Sequence, residues 1–212
     1  MYKMPESGDA LAKGGSIMKK KYGKKWVVLM LVFCLVFTMT ACGKNADSNT
    51  NSGNVTGGGN VDDTVSIDTI YEAIKEAYGD DYLPNMMLSE DEILSMFGIE
   101  PEWCDELIAE IPMISTNVDT LIAIKAREGF VEDVINAVTA YQDYLKNDSF
   151  QYPMNMDKVA ASTVVTFDRY VFFIMLGTLD DDVDTSDDAA RLAAFEAKNQ
   201  IAVDVIEGFL LK

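Results

Sequence analysis

The residue whose surroundings point most directly to chemistry is Cys42. It closes the run Thr38-Met39-Thr40-Ala41-Cys42, which follows an apolar stretch from Trp26 to Phe37 and, before that, the basic segment from Met18 to Lys25. A basic n-region, a hydrophobic h-region and a small-residue cleavage site make a secretory signal peptide. A cysteine directly after the small residues is the pattern of a bacterial lipoprotein. Its thiol is alkylated by a diacylglyceryl group, and it becomes the first residue of the mature chain. Met39 stands where leucine is the usual choice, whereas Thr40 and Ala41 fit. An uncleaved membrane anchor is the alternative; it needs about 20 apolar residues, and Trp26 to Ala41 supplies 16. Residues 18–41 therefore read as a lipoprotein signal peptide and Cys42 as the lipid attachment site. Covalent diacylglycerol is the one non-protein group expected.

A second constellation is Asp180-Asp181-Asp182-Val183-Asp184-Thr185-Ser186-Asp187-Asp188. Hard oxygen donors at this density suit calcium. Asp180, Asp182 and Asp184 occupy positions 1, 3 and 5 of a calcium-loop template, but Thr185 replaces the glycine at 6 and Arg191 the glutamate at 12. The same residues suit a solvated loop in which Ser186, Asp187 and Asp188 cap the following helix. The sequence contains no histidine. That removes Ser-His-Asp and Cys-His catalysis, His-ligated zinc or copper, and imidazole proton transfer. Gly57-Gly58-Gly59 does not join a strand to a helix, so it is no phosphate loop. A carboxylate-only hydrolase would still be feasible by residue count, yet Trp103 is the sole tryptophan after Cys42 to serve as a sugar platform. No enzymatic activity is expected. Cys34 lies in the h-region, which leaves Cys104 as a lone thiol without an intrachain disulfide. It reads as a small buried apolar residue rather than a nucleophile.

The elements that must position these residues follow from periodicity. Ile67, Ile70, Tyr71, Ile74 and Tyr78 mark an amphipathic helix capped by Ser66 and ended by Gly79. Ser89 and Glu92 form a capping box that opens a helix running to Gly98. Pro101 opens a further short helix carrying Trp103, Leu107 and Ile108. Ile111 to Ser115 and Val118 to Ala126 are predicted strands reversing at Thr116-Asn117, with Val118, Thr120, Ile122 and Ile124 on one face and Asp119, Leu121, Ala123 and Lys125 on the other. Gly129 to Lys146 is helical. Val159 to Phe167 and Tyr170 to Gly177 form a second hairpin turning at Asp168-Arg169, and the all-apolar run from Tyr170 to Leu176 predicts a central strand covered on both faces. A last helix spans about Asp188 to Leu210. The fold expected is α+β: N-terminal helices followed by ββαββα. Its four-stranded antiparallel sheet would carry two long helices on one face and the N-terminal helices on the other face or the edge.

Charge divides at Cys42. Of the 17 basic residues seven precede it, so the part from Cys42 onward keeps 10 basic and 33 acidic residues, a net charge of −23. Such a surface repels nucleic acid and anionic headgroups, so attachment to the membrane must come from the lipid. Residues 42–63 hold the lipidated cysteine and a Gly-, Asn-, Ser- and Asp-rich tether, a coil spanning about 25 Å. Residues 1–17 precede the signal's own Met18. Lys13-Gly14-Gly15 is encodable as a ribosome-binding sequence just upstream of Met18, so 1–17 reads as a translated leader, the alternative being a long n-region. Residues 64–212 form a single α+β domain.

Four segments carry a resemblance: Asp81-Tyr82-Leu83-Pro84-Asn85-Met86, Pro112 to Thr120, Gln151-Tyr152-Pro153-Met154-Asn155 and Tyr170-Val171-Phe172-Phe173. Together they resemble a family of small clostridial-type lipoproteins whose domain is known only as domain of unknown function number 4358. The likeness runs from about Ser66 to Leu210. It implies export and lipid anchoring in Gram-positive anaerobes and supplies no catalytic residues. Within these segments Asn117, Asp119, Gln151, Tyr152 and Asn155 are candidate binding residues; the same types also suit turns and extended connections.

The function expected is that of a lipid-anchored module on the outer face of the cytoplasmic membrane, binding another envelope protein or a cell-wall polymer without catalysis. A small-ligand- or calcium-binding lipoprotein is the alternative.

Overall fold

Tyr170 to Leu176 is apolar at every position because it runs through the middle of a sheet with helices on both sides. The structure, a computed structural model, describes residues 54–56 and 60–211. The leader, the signal peptide and Cys42 lie outside the described residues. In chain order the strands are β1 (Asn54–Thr56), β2 (Met86–Met87), β3 (Cys104–Ile111), β4 (Thr120–Ala126), β5 (Thr163–Phe167) and β6 (Tyr170–Met175). The helices are α1 (Ile67–Tyr78), α2 (Glu90–Phe97), α3 (Val131–Asn147), α4 (Met156–Ala161) and α5 (Asp188–Leu210). The sheet order is β1-β5-β6-β4-β3-β2. Every neighbouring pair is antiparallel except β1 and β5.

The α+β class agrees with the sequence reading, but the sheet is larger. Five antiparallel strands replace the four expected, and β1 adds a parallel edge. The tether expected to run free to Asp63 is ordered earlier: Asn54 pairs with Val164, Val61 bridges Leu211, and the Asp62 amide donates to the Leu210 carbonyl at 2.9 Å.

Residue parity divides the core into two layers. Leu121, Ala123, Phe172 and Ile174 face α1 and the second half of α5, meeting Ile70, Ile74, Val203 and Ile206. Ile122, Ile124, Val171 and Phe173 face α2 and α3, meeting Phe97, Val134 and Val138. The two long helices, α3 and α5, thus lie on opposite faces, which corrects the one-face arrangement expected. The cause is topological. β4 and β5 run in the same direction with β6 between them, so α3 must cross one face, and α5 covers the other beside α1. Each fully buried Ile, Leu or Phe contributes about 1.5–3 kcal/mol to holding these layers.

Three boundaries differ from the periodicity reading. Pro101 starts only one 3-10 turn, Pro101–Trp103, and the chain then enters β3. A bulge between Cys104 and Glu106 puts Cys104 and Leu107 on the same face, a three-residue step that imitates a helix. The first hairpin's outgoing strand is this β3 rather than Ile111 to Ser115. It stops at Pro112, and Thr116-Asn117 lies in a longer loop where the Asn117 amide donates to the Ile114 carbonyl. Val159 to Ala161 belongs to α4, with β5 beginning at Thr163. The turn at Asp168-Arg169 is as expected, Asp168 adopting φ +52°. So are the cap of α1 by Ser66, the Ser89–Glu92 capping box and the end of α2 at Gly98. The left-handed helical conformation expected at Gly79 is found at Gly98 instead, Gly79 having φ +54° with ψ −122°.

Candidate functional site

At the end of the sheet where β4 starts and β6 finishes, the loop 112–119, the connection 148–155, α4 and the segment after β6 converge. Asp119 lies at the centre and is 0% exposed. Its Oδ1 accepts from the Lys158 ammonium of α4, and its Oδ2 accepts from the Gly177 amide at 3.0 Å. Burial pushes the Asp119 carboxyl above the usual carboxylate range and the Lys158 ammonium below its own; their mutual attraction opposes both shifts. Lys158 also sits 5.5 Å from the Phe195 ring centroid of α5. One ion pair therefore joins a strand, a short helix and the chain leaving the sheet.

The backbone at Gly177 has to be glycine. Its φ is +89°, and a Cβ there would lie 2.9 Å from the Lys198 Cβ. Lys198 in turn bridges Asp81 at 3.2 Å and Asp180 at 2.8 Å, while Thr178 donates to Asp81 at 2.6 Å and Tyr78 donates to the Lys198 carbonyl at 2.6 Å. Beneath this layer the buried Asn199 donates to the Ala161 carbonyl and accepts from the Leu176 amide, both at 2.9 Å; Gln142 donates to the Ser162 carbonyl at 2.7 Å. These bonds fasten the end of α4 to both helical layers.

Of the five candidate binding residues, Asn117, Asp119 and Asn155 come together here. Asn117 Oδ1 accepts the Asp119 amide at 2.9 Å, and Asn155 Nδ2 donates to the Thr116 carbonyl at 3.0 Å. Their polar atoms hold the two loops against each other, which is turn and loop chemistry. Gln151 stands apart and donates to Ser149 Oγ at 2.8 Å. The Tyr152 ring is half-exposed. Periodicity offered no signal for Lys158, whose Met156-Asp157-Lys158-Val159 setting resembles the start of a strand, nor for Gly177 or Asn199.

The loops so fixed display apolar side chains to solvent. Phe150 is 94% exposed, Met154 74%, Met113 71% and Ile114 68%, with Tyr152 and Met156 also exposed. Asn155 links the two loops that carry them, so they share one end of the molecule. A groove of about 490 Å³ opens beside them, lined by Leu145, Lys146, Phe150, Met156, Val159 and Ala160 among others. Clustered apolar exposure of this kind marks interaction surfaces, and methionine adapts its shape to a partner.

In the acidic loop the carboxylates of Asp180 and Asp184 have partners within the protein. Asp180 pairs with Lys198, and Asp184 Oδ1 accepts from the Ser186 amide at 2.9 Å and from its hydroxyl at 2.6 Å. Asp182 is exposed. Asp187 accepts from the Ala189 amide at 2.9 Å and caps α5. Cys104 is buried, with its thiol pushed up to about 11 by burial. Among the described residues no helix is long and apolar enough to cross a membrane.

No curated protein and no solved structure matches the chain. Residues 77–176 match the family described as "Domain of unknown function (DUF4358)", a span from the last turn of α1 through β6 that includes Asp119, Asn155 and Lys158. The chain carries a DUF4358 domain.

Proposed function

We propose that this protein is an extracytoplasmic, lipid-anchored docking module of a Gram-positive envelope. It works without catalysis by presenting the loop end of its sheet to another envelope protein or a wall polymer. The observation that carries the reading is the set of apolar side chains on loops 112–119 and 148–155, pinned in place by the dry Asp119–Lys158 pair and the Asn155–Thr116 bond. A buried ion pair is a poor source of stability but a good device for fixing one loop arrangement. Lipid anchoring rests on the Cys42 pattern, and the 33 acidic residues after the signal peptide suit an exported surface.

The test places a photo-crosslinking amino acid at Met113, at Met154 and, as a control, at Glu72 on the exposed face of α1, in the full chain within its own membranes. Discrete adducts at Met113 and Met154 but not at Glu72 are expected. Equal labelling at all three positions, or none at the loops, would overturn the reading. In parallel, intact mass should show a chain starting at Cys42 with acyl groups added, and Cys42→Ser should remain at full length.

A further inference from the structure

We propose that the groove between the end of α3 and α4 binds a small monocarboxylate with an apolar chain, and that Lys146 is its anion contact. The proposal goes beyond the docking reading and stands without it. Eight cationic side chains lie among the described residues, and seven of them have a carboxylate within 4.0 Å. Lys146 is the exception among these described residues. It is half-buried and lines the groove, and its ammonium donates to the Ser162 carbonyl at 3.2 Å. An ammonium has three hydrogens to donate. Asp143 and Glu196 act on Lys146 only from beyond 4.0 Å, so its remaining hydrogens are open to a carboxylate that enters the groove and meets it at closer range.

The rest of the wall selects the ligand's body. Leu145, Phe150, Met156, Val159 and Ala160 make it apolar. The polar groups Ser149 and Gln151 are engaged with each other at 2.8 Å, and Ser149 Oγ also donates to the Leu145 carbonyl at 2.8 Å. About 490 Å³ falls within the range that takes small-molecule ligands. A single cation and a mostly apolar wall fit a singly charged head on a hydrocarbon chain better than a phosphate, which would draw on several donors. Burial also lowers the Lys146 pKa, against the opposing pull of Asp143 and Glu196, and a carboxylate bound in the groove would add to that pull.

The experiment is isothermal titration of the full chain with octanoate, decanoate and the chain-matched octyltrimethylammonium. Saturable binding of octanoate is expected, with about tenfold tighter binding of decanoate from its two extra methylenes. The cationic amphiphile should bind at least tenfold more weakly than octanoate. Lys146→Gln should weaken octanoate about tenfold, Lys146→Arg should keep it within threefold, and Ala160→Phe, which fills the groove, should abolish it. Absence of saturable binding would overturn the proposal. So would equal affinity for the cationic amphiphile, or a Lys146→Gln chain that binds as the parent does. The titration uses no docking partner, so its failure and that of the crosslinks at Met113 and Met154 are distinguishable.

Discussion

Asp119 and Lys125 stand at the two ends of β4 on the same face of the sheet, and each is the hub of a charged cluster. Around Asp119 the cluster is dry: one ammonium from Lys158, one backbone amide from Gly177, and no exposed surface on the carboxylate. Around Lys125 it is wet. The Lys125 ammonium donates to the Asp63 carbonyl at 2.6 Å and lies within 4.0 Å of Asp63 and Glu106 carboxylates. Arg169 reaches Asp63 at 2.6 Å and Asp105 at 2.5 Å, both on half-exposed side chains. The dry cluster fixes the loops that meet a partner; the wet one fixes the chain where it leads into α1. Desolvation separates their energetics. Charges left without partners in the dry site have no water to fall back on, whereas those in the wet site do.

The largest expected effect comes from breaking the dry pair on one side. Asp119→Ala leaves Lys158 buried without its counter-charge and should cost about 3–5 kcal/mol, a fall in Tm of roughly 10 °C for a domain of this size. Replacing both partners by apolar residues, Asp119→Leu with Lys158→Met, should recover most of that loss while loosening loop 112–119. Thermal unfolding of the single and double variants measures the difference. A single variant as stable as the parent would mean that the Lys158 ammonium reaches water and the two ends of β4 are alike.

Next in size is Asn155→Ala, which strands the Thr116 carbonyl and should cost about 1–1.5 kcal/mol. Faster proteolysis within 112–118, with little change in the Arg169 end, would show that the loss is local to the dry end. Asn117→Ala should act in the same direction through the Asp119 amide. If instead Asn155→Ala leaves both stability and proteolysis unchanged, the two loops are not held by this bond.

How far these features were legible in the sequence depends on the range of the interaction. Local signals are legible: the Ser89–Glu92 box, the Asp168-Arg169 turn, and the parity of β4 that sends Leu121 and Ile122 to opposite layers. Signals that depend on tertiary pairing are not. The bulge at Cys104 to Glu106 imitated a helical step, and nothing in Met156 to Ala161 marked a helix whose lysine meets a residue 39 positions earlier. Asn117, Asp119 and Asn155 drew notice as polar residues in loop segments, and they do meet. The reason they meet lies in Lys158 and Gly177, which no spacing rule connects to them. The sheet's sixth strand was hidden in a stretch whose composition reads as a tether, since Asn54–Thr56 gains its order from the exposed edge of β5.

A smaller effect is expected at the wet end, and its response to conditions is what distinguishes it. Arg169→Gln should cost under about 1 kcal/mol at low ionic strength, discounted for the exposure of its partners, and the difference should vanish near 1 M salt. Hydrogen bonds from Arg169 hold the Asp63 and Asp105 carboxyls below the usual carboxylate range. Their contribution is therefore present above the unfolded-state value and is lost as pH falls through the lower folded-state value. The stability gap between parent and variant should close on acidification below about pH 4. A gap that persists in acid and in salt would place the Arg169 cluster with the dry one.

The smallest effect on stability, and the most direct test of what the dry end is for, belongs to the displayed side chains. Met154→Ser and Tyr152→Ala remove exposed apolar groups without touching the Asp119–Lys158 pair or the Asn155–Thr116 bond. Each should change unfolding free energy by no more than about 0.5 kcal/mol. The same variants, combined with the crosslinker at Met113, should reduce adduct yield severalfold, because the loop on which Met113 sits is unchanged while the neighbouring contact surface is lost. A surface kept for interaction shows this split between stability and docking. Should the two variants destabilise the domain as much as Asn155→Ala does, the apolar side chains would be covering the loop end itself, and the contrast between the two ends of β4 would be one of packing alone.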